Sequence, residues 1–142
     1  MPVSLMPLSR ENVRAVCELR LAEDQRHLVA PAAYTVAEGN YEPGAVLRAI
    51  HHDDTPVGVL LVEVENGTPH LVRFMVDADH QGRGIGGRAV ELLVDELRAS
   101  GWKTLETSVV PVKGGAEGFW RRCGFQGTDR THYGEPVFVR PL

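Results

Sequence analysis

The sequence predicts an α/β (α+β) fold, a mixed and mostly antiparallel sheet of about six or seven strands with helices on both faces. Three observations predict it. Residues 57–62 are apolar at both alternating positions, which is typical of a strand covered on both sides. Asn66-Gly67 between two strand-like segments indicates a β-hairpin. Residues 71–99 run from a β-branched strand through a glycine cluster into an amphipathic helix.

Length and composition predict one domain over residues 1–142. The net charge of −4 and the lack of a basic cluster argue against a nucleic-acid partner, and no apolar run reaches membrane-spanning length. Cys17 and Cys123 form no Cys-x-x-Cys motif, so we expect reduced thiols in a cytoplasmic protein. The potential metal ligands at 51–54 fall in a polar turn, and we expect no metal there.

The first half of the chain alternates strands with weaker helical patterns. Ser9 is a candidate N-cap for a helix over 10–21. The irregular stretch 23–44 contains a short helical segment over 35–41, and we assign it to the wall of a substrate site. Strands are predicted at 3–8, 45–52 and 56–65, with a polar turn at 53–55 between the last two.

The hairpin signal also fixes a strand register. If Asn66 and Gly67 form a two-residue turn, Glu63 lies opposite His70 on the neighbouring strand. The acid and the imidazole then share a sheet face, which the alternation continues through Leu61, Val72 and Phe74. Glu63 and His70 are therefore candidates either for an exposed cross-strand pair or for acid–base chemistry.

The glycine cluster at 82–87 predicts an anion site. The first N–H groups of a helix have no intrahelical acceptor and carry the positive end of the helix dipole. Glycines allow a ligand to approach this backbone. The helix that follows has apolar residues at helical spacing up to Leu97 and ends near Gly101.

The last third of the chain predicts four more elements. They are a strand over 103–110 that Pro111 ends, a short helix over 116–123, a strand near 125–128, and a last strand over 135–140. The polar residues 129–134 between the last two strands are predicted to form a loop.

Three phosphate-binding interpretations compete for the glycine cluster. A P-loop needs Gly-Lys followed by Ser or Thr, which the sequence lacks. Gly82-x-Gly84-x-x-Gly87 matches a dinucleotide fingerprint, with Glu106 as its ribose ligand, but the predicted hairpin precedes it where a βαβ unit should begin. The third interpretation joins Gln81-x-x-Gly84-x-Gly86 to residues 74–77 before it, and to Val110-Pro111 and Gly124-Phe125 after it. In this combination the chain resembles GCN5-related N-acetyltransferases (GNAT) over nearly its whole length.

The resemblance implies acetyl-coenzyme A as co-substrate, without a metal, in a V-shaped cleft between two parallel strands that splay at a bulge. The two strands are those at 71–77 and 103–110. A main-chain N–H of Phe74 or its neighbour is expected to hold the acetyl carbonyl. The cofactor-binding residues that the resemblance implies are Phe74, Met75, Val76, Gln81, Gly82, Arg83, Gly84, Ile85, Gly86, Gly87, Lys113, Phe119 and Trp120.

The resemblance also implies direct attack by the amine in a ternary complex. Some related families carry a base eleven residues before the loop glutamine, which is His70 here. The family usually has asparagine and a proton-donating tyrosine where this chain has Lys113 and Trp120. An indole cannot protonate a thiolate, so Tyr133 is a substitute candidate. The catalytic candidates are His70, Glu63 and Tyr133.

Residues 25–43 resemble the bacterial diamine and spermidine acetyltransferases, with Ala32 in place of their asparagine. This resemblance implies a small-molecule amine substrate, with Gln25, Tyr34 and Glu38 as candidate contacts. An amine-bearing antibiotic or another amine metabolite is the alternative substrate. A module that binds acyl-coenzyme A without turnover is the alternative function. Dimers are common among similar proteins, so a homodimer is also expected.

Overall fold

The structure is a computed structural model that describes residues 2–22, 31–111 and 115–142. Its strands are β1 (Val3–Pro7), β2 (Val46–His52), β3 (Thr55–Glu65), β4 (Thr68–Val76), β5 (Thr104–Ser108), β6 (Gln126–His132) and β7 (Glu135–Pro141). Its helices are α1 (Val13–Cys17), α2 (Ala32–Tyr41), α3 (Ile85–Ala99) and α4 (Glu117–Arg122).

The strands form one sheet in the order β1-β2-β3-β4-β5-β7-β6. Only β4 and β5 are parallel neighbours within this sheet. Helices α3 and α4 pack on one face, where Val90, Leu93 and Trp120 bury against Leu60 and Leu105. Helices α1 and α2 pack on the other face. The predicted mixed sheet with two covered faces is confirmed, because apolar side chains leave β3 on both sides.

The predicted hairpin register is confirmed at the turn. Glu63 lies opposite His70, and Asn66 and Gly67 both have positive φ angles, as a two-residue hairpin turn requires. Farther along, the register shifts because Val72 is an extra residue in β4. Leu61 therefore lies opposite Arg73, beside α2, while Phe74 turns to the face of α3 and α4. The prediction that Leu61 and Phe74 share a sheet face is wrong, because the bulge at Val72 reverses the alternation of side chains between the two faces of the sheet.

The parallel pair forms a fork. It is paired at only two positions, His70 with Glu106 and Leu71 with Thr107. The Thr107 hydroxyl closes the base of the fork by donating a 3.0 Å hydrogen bond to the Leu71 carbonyl. Beyond Leu71 the strands separate, while β4 stays paired with β3 and β5 with β7. The splayed pair and the bulge that the resemblance implied are thus confirmed.

Several element boundaries differ from the prediction: α1 spans Val13–Cys17 and not 10–21, α2 begins at Ala32 and not at 35, and β6 is longer than predicted. Helix α1 starts only at Val13, because the Asn12 side chain accepts from the Ser9 N–H and donates to the Pro7 carbonyl, which holds a turn there. The predicted loop at 129–134 is mostly strand: β6 continues to His132, and Tyr133 and Gly134 form the turn to β7. A polar strand at a sheet edge lacks the apolar alternation on which the prediction depended.

Replacement of Gly58 by alanine is expected to lower the free energy of unfolding by about 1–3 kcal/mol. Gly58 is buried in β3 opposite Val76, and an added Cβ would collide with the main-chain carbonyl oxygen of Met75, which cannot move without distorting the sheet. Urea denaturation of the purified variant measures the effect. Gly87→Ala is the matched control, because a Cβ at this α3 position meets open space and should stabilise the helix by up to ~1 kcal/mol. A Gly58→Ala variant as stable as the wild type would contradict the packing described here.

Candidate active site

The fork opens into a cleft of about 760 Å³, a volume typical of small-molecule sites. One wall is β4 and the other is the end of β5 with α4, while the glycine cluster lies at the mouth. Of the predicted cofactor residues, the cleft is lined by Phe74, Met75, Val76, Gln81, Gly82, Gly84, Ile85, Gly86, Gly87, Phe119 and Trp120. Arg83 instead lines a smaller neighbouring cavity of about 320 Å³. Lys113 lies outside the described residues.

The glycine cluster is held in place by Asp77. This buried carboxylate accepts hydrogen bonds from the N–H of Arg20 at 2.7 Å and from His80 Nδ1 at 3.2 Å. Burial by itself would raise the pKa of Asp77, but the hydrogen bonds from Arg20, His80 and Asp79 outweigh it and lower that pKa. The carboxylate therefore stays ionised and fixes the turn between β4 and the glycines.

The helix start is shaped to receive an anion. Gly84 is the N-cap of α3 and has a φ of 77°, a left-handed conformation that glycine adopts at little cost. The first intrahelical hydrogen bond runs from the Arg88 N–H to the Gly84 carbonyl. The N–H groups of residues 85–87 therefore have no acceptor within the helix. A Cβ at Gly82 or Gly84 would meet open space, which leaves room for a ligand against the backbone. These residues fit a pyrophosphate group.

The β4 wall offers main-chain groups to the cleft. The Asp77 N–H donates to Val57 of β3, whereas the Val76 carbonyl accepts from Gln81 Nε2 at 2.9 Å. Successive residues of a strand direct their main-chain N–H and C=O groups to opposite edges. The main-chain groups of Phe74 and Val76 therefore face the gap between β4 and β5. This edge suits the amides of a pantetheine arm.

A buried imidazole lies behind the closed end of the cleft, next to Ser108. His70 is 4% exposed, and its Nε2 lies 3.1 Å from the hydroxyl of Ser108, a residue that lines the cleft. Its ring also lies 4.8 Å from that of His132. Burial lowers the pKa of His70 below its ordinary value, so the imidazole is neutral near pH 7 and able to accept a proton. Glu63, the predicted partner, is its cross-strand neighbour, but the imidazole bonds to Ser108 instead.

Comparison with known proteins assigns the family. The family model described as "Acetyltransferase (GNAT) family" matches residues 11–125. The chain belongs to this family. The match confirms the acetyltransferase class and acetyl-coenzyme A as the acetyl donor that the resemblance implied. No curated protein matches the chain.

Solved GNAT structures share the fold at low identity. The ribosomal-protein-S18-alanine N-acetyltransferase from Escherichia coli is 21% identical, with a TM-score of 0.74 over 99% of this chain and 94% of that one. PaiA N-acetyltransferase from Thermoplasma acidophilum, in complex with coenzyme A, is 12% identical, with a TM-score of 0.74 over 100% of both chains. A GNAT acetyltransferase from Elizabethkingia anophelis with acetyl-CoA bound is 14% identical, with a TM-score of 0.71 over 99% of this chain and 98% of that one.

Two of the three predicted substrate contacts lie together on the face of α1 and α2. Glu38 of α2 pairs with Arg73 of β4 at 3.1 Å, and the Arg73 guanidinium lies 5.6 Å from the exposed Tyr34 ring. Burial, with the charges of Glu38, Glu42 and Glu65, raises the pKa of Glu63. Of the three predicted substrate contacts, Tyr34 and Glu38 thus lie together against Arg73, which lines the cleft, and Gln25 lies outside the described residues.

Trp120, which occupies the position of the family's tyrosine, and Tyr133, the substitute candidate, lie in different places. Trp120 is buried in the cleft wall, with edge-to-face contacts to Phe74, Phe119 and Phe125. Tyr133 lies at the β6–β7 turn, is 95% exposed, and contacts the His132 ring instead of lining the cleft. The two residues are thus not brought together.

Sequence reasoning missed Ser108, which joins the cleft to His70, and also missed Glu65 of β3 with Arg130 and His132 of β6. Ser108 stands two residues after Glu106 on one face of β5, but no local pattern marks it. Its approach to His70 depends on the pairing of β4 with β5 across 38 residues of sequence separation.

Within the described residues, no helix is both long and apolar enough to cross a membrane.

Proposed function

We propose that the protein transfers the acetyl group of acetyl-coenzyme A to a primary amine of a small molecule, by direct attack in a ternary complex. One observation carries this proposal. A single cleft joins an anion-binding helix start, a free strand edge and a serine bonded to a buried neutral imidazole. These are the parts that a transfer from a phosphorylated thioester donor to an amine requires.

The cofactor would lie along β4. The N–H groups at the start of α3 would bind its pyrophosphate, and the Phe74 carbonyl and the Val76 N–H would pair with its pantetheine arm, since the Val76 carbonyl accepts from Gln81. When bound, acetyl-coenzyme A supplies the acetyl group as an activated thioester. The Phe74 N–H, directed into the cleft, would donate to the acetyl carbonyl oxygen as negative charge develops there.

His70 would receive the proton of the amine. An alkylammonium with a pKa of about 10.4 arrives protonated and must lose a proton before it attacks. Ser108 Oγ would accept that proton while its own hydroxyl proton passes to His70 Nε2, 3.1 Å away. Because Val72 is an extra residue, the pairing puts His70 three β3 positions from Phe74, roughly 10 Å along the strand, which is why an intermediate group such as Ser108 is needed.

The acceptor wall favours a cationic amine. Glu63 lies near Glu38, Glu42 and Glu65, with Arg73 as the compensating cation. We therefore propose a diamine or polyamine as the first substrate class to test, in line with the resemblance of residues 25–43. Tyr34 and Glu38 would contact this substrate, and Glu63 would hold its charged end. An amine-bearing antibiotic presents similar charges and is the alternative.

The leaving thiolate would need little help. A thiol has a pKa of about 8.5, so water can protonate it at neutral pH. Trp120 would then act through packing against the cofactor, and Tyr133, outside the cleft, would act only if the β6–β7 turn moved.

Thiol release from acetyl-coenzyme A tests the proposal. We expect amine-dependent release with spermidine, spermine or putrescine, measured from pH 6 to 9 beside amino acids, aminoglycosides and a lysine peptide. Turnover confined to another amine would keep the reaction but reject the diamine and polyamine class. Saturable cofactor binding by calorimetry, with no release from any amine, would favour the binding module, and Trp120→Tyr would then test whether the missing hydroxyl explains it.

A further inference from the structure

We infer that Glu65 and His132 act as a pair of positioning residues that orient His70 toward Ser108. The inference rests on the proposed function, because it assumes that His70 receives the substrate proton. It adds two residues from distant parts of the chain, one at the end of β3 and one at the end of β6.

The pair spans the sheet. His132 Nε2 lies 2.8 Å from the Glu65 carboxylate, and this bond ties the tip of the β6–β7 hairpin to β3. The His132 ring also contacts the His70 ring, with 4.8 Å between the ring centroids and an interplanar angle of 32°. His132 thus covers one side of the imidazole while Ser108 bonds to its Nε2.

A second ion pair borders the same imidazole. Arg130 donates two hydrogen bonds to the Glu106 carboxylate, at 3.2 and 2.7 Å. The charged groups facing His70 are then Glu65 and its neighbour Glu63 from β3, Glu106 from β5, and Arg130 and His132 from β6. Both β6 side chains that face the buried ring have a carboxylate partner on the sheet, Glu106 for Arg130 and Glu65 for His132.

The opposite influences of Glu65 and His132 on the pKa of His70 make the pair testable. After burial, Glu65 is the largest influence on the pKa of His70 and raises it, whereas His132 lowers it. Removing one member should therefore move the titration of His70 in the direction opposite to removing the other. An ion pair that only stabilised the fold away from His70 would change the unfolding midpoint and leave that titration in place, whereas loss of the orientation of His70 should also lower kcat/KM.

We would follow the Cε1–H resonance of His70 by NMR against pH in the wild type, Glu65→Gln, His132→Gln and the double variant, with His70→Asn to assign the signal. We expect the midpoint to fall in Glu65→Gln, to rise in His132→Gln, and to return toward the wild type in the double variant. With the amine identified by the thiol assay, each single variant should lose roughly 3- to 10-fold in kcat/KM without weaker coenzyme A binding.

Glu96→Gln is the matched control. Its pair with Arg48 is exposed to the same extent as the Glu65 pair, 34% and 28% against 33% and 32%, and joins α3 to β2. It should leave both the His70 titration and kcat/KM unchanged. Shifts in the same direction for both single variants, or none, would overturn the inference. The titration needs no substrate, so it stands or falls separately from the proposed acetyl transfer.

Discussion

Replacing His70 with asparagine is expected to lower kcat for the amine by about 100-fold or more, the usual contribution of a positioned general base. Asparagine fills much of the buried site and can still bond to Ser108, but it accepts no proton at neutral pH. Stopped assays of thiol release at saturating amine measure the loss. Coenzyme A affinity should not change, because His70 does not line the cofactor cleft.

The pH profile gives the same prediction an independent check. The neutral imidazole is the active form, so kcat should fall as the pH decreases through the pKa of His70. Burial lowers that pKa, so the fall should come below pH ~6.5, the ordinary value for histidine. His70→Asn should abolish this limb, and Ser108→Ala should lower kcat while leaving the imidazole present. If His70→Asn keeps more than a third of the wild-type kcat, the base lies elsewhere, and Glu63→Gln becomes the next variant.

Gly84→Val is expected to weaken coenzyme A binding by about 100-fold. The valine side chain would occupy the open space in front of the α3 N-terminus and block hydrogen bonds to a pyrophosphate, which together contribute about 2–3 kcal/mol. Isothermal titration calorimetry with coenzyme A measures the change directly and needs no amine.

Gly67→Val separates backbone strain from lost binding. Gly67 has a φ of 78°, against 77° at Gly84, and an added Cβ meets open space at both positions. Both variants should therefore lose similar stability, about 1–2 kcal/mol, because a side chain is strained in this left-handed conformation. Only Gly84→Val should lose coenzyme A affinity. Equal affinities in the two variants would show that the glycine cluster is not the cofactor site.

Local sequence patterns were sufficient to predict the structure wherever the backbone conformation of a short segment depends on the residue types within it. Asn66-Gly67 fixed the register that brings Glu63 opposite His70, because only a few residue types allow the positive φ angles of that turn. The glycine cluster before an amphipathic run likewise predicted the start of α3, and its glycines line the cleft between β4 and β5. Patterns failed at β6, where polar edge residues carry no alternation, and at Ser9, where the Asn12 side chain delays the helix.

The sequence by itself determined the family, the mixed sheet and the glycine turn before α3, since each strand, turn and motif that predicted them is a short segment that can be recognised separately. Only the tertiary structure decided the surroundings of His70. The bulge at Val72 directs Phe74 away from the Glu63 face, the parallel pairing brings Ser108 to the imidazole, and the β6–β7 hairpin brings His132 to Glu65. These contacts join segments far apart in sequence, so they depend on packing of the whole sheet, which no local pattern encodes.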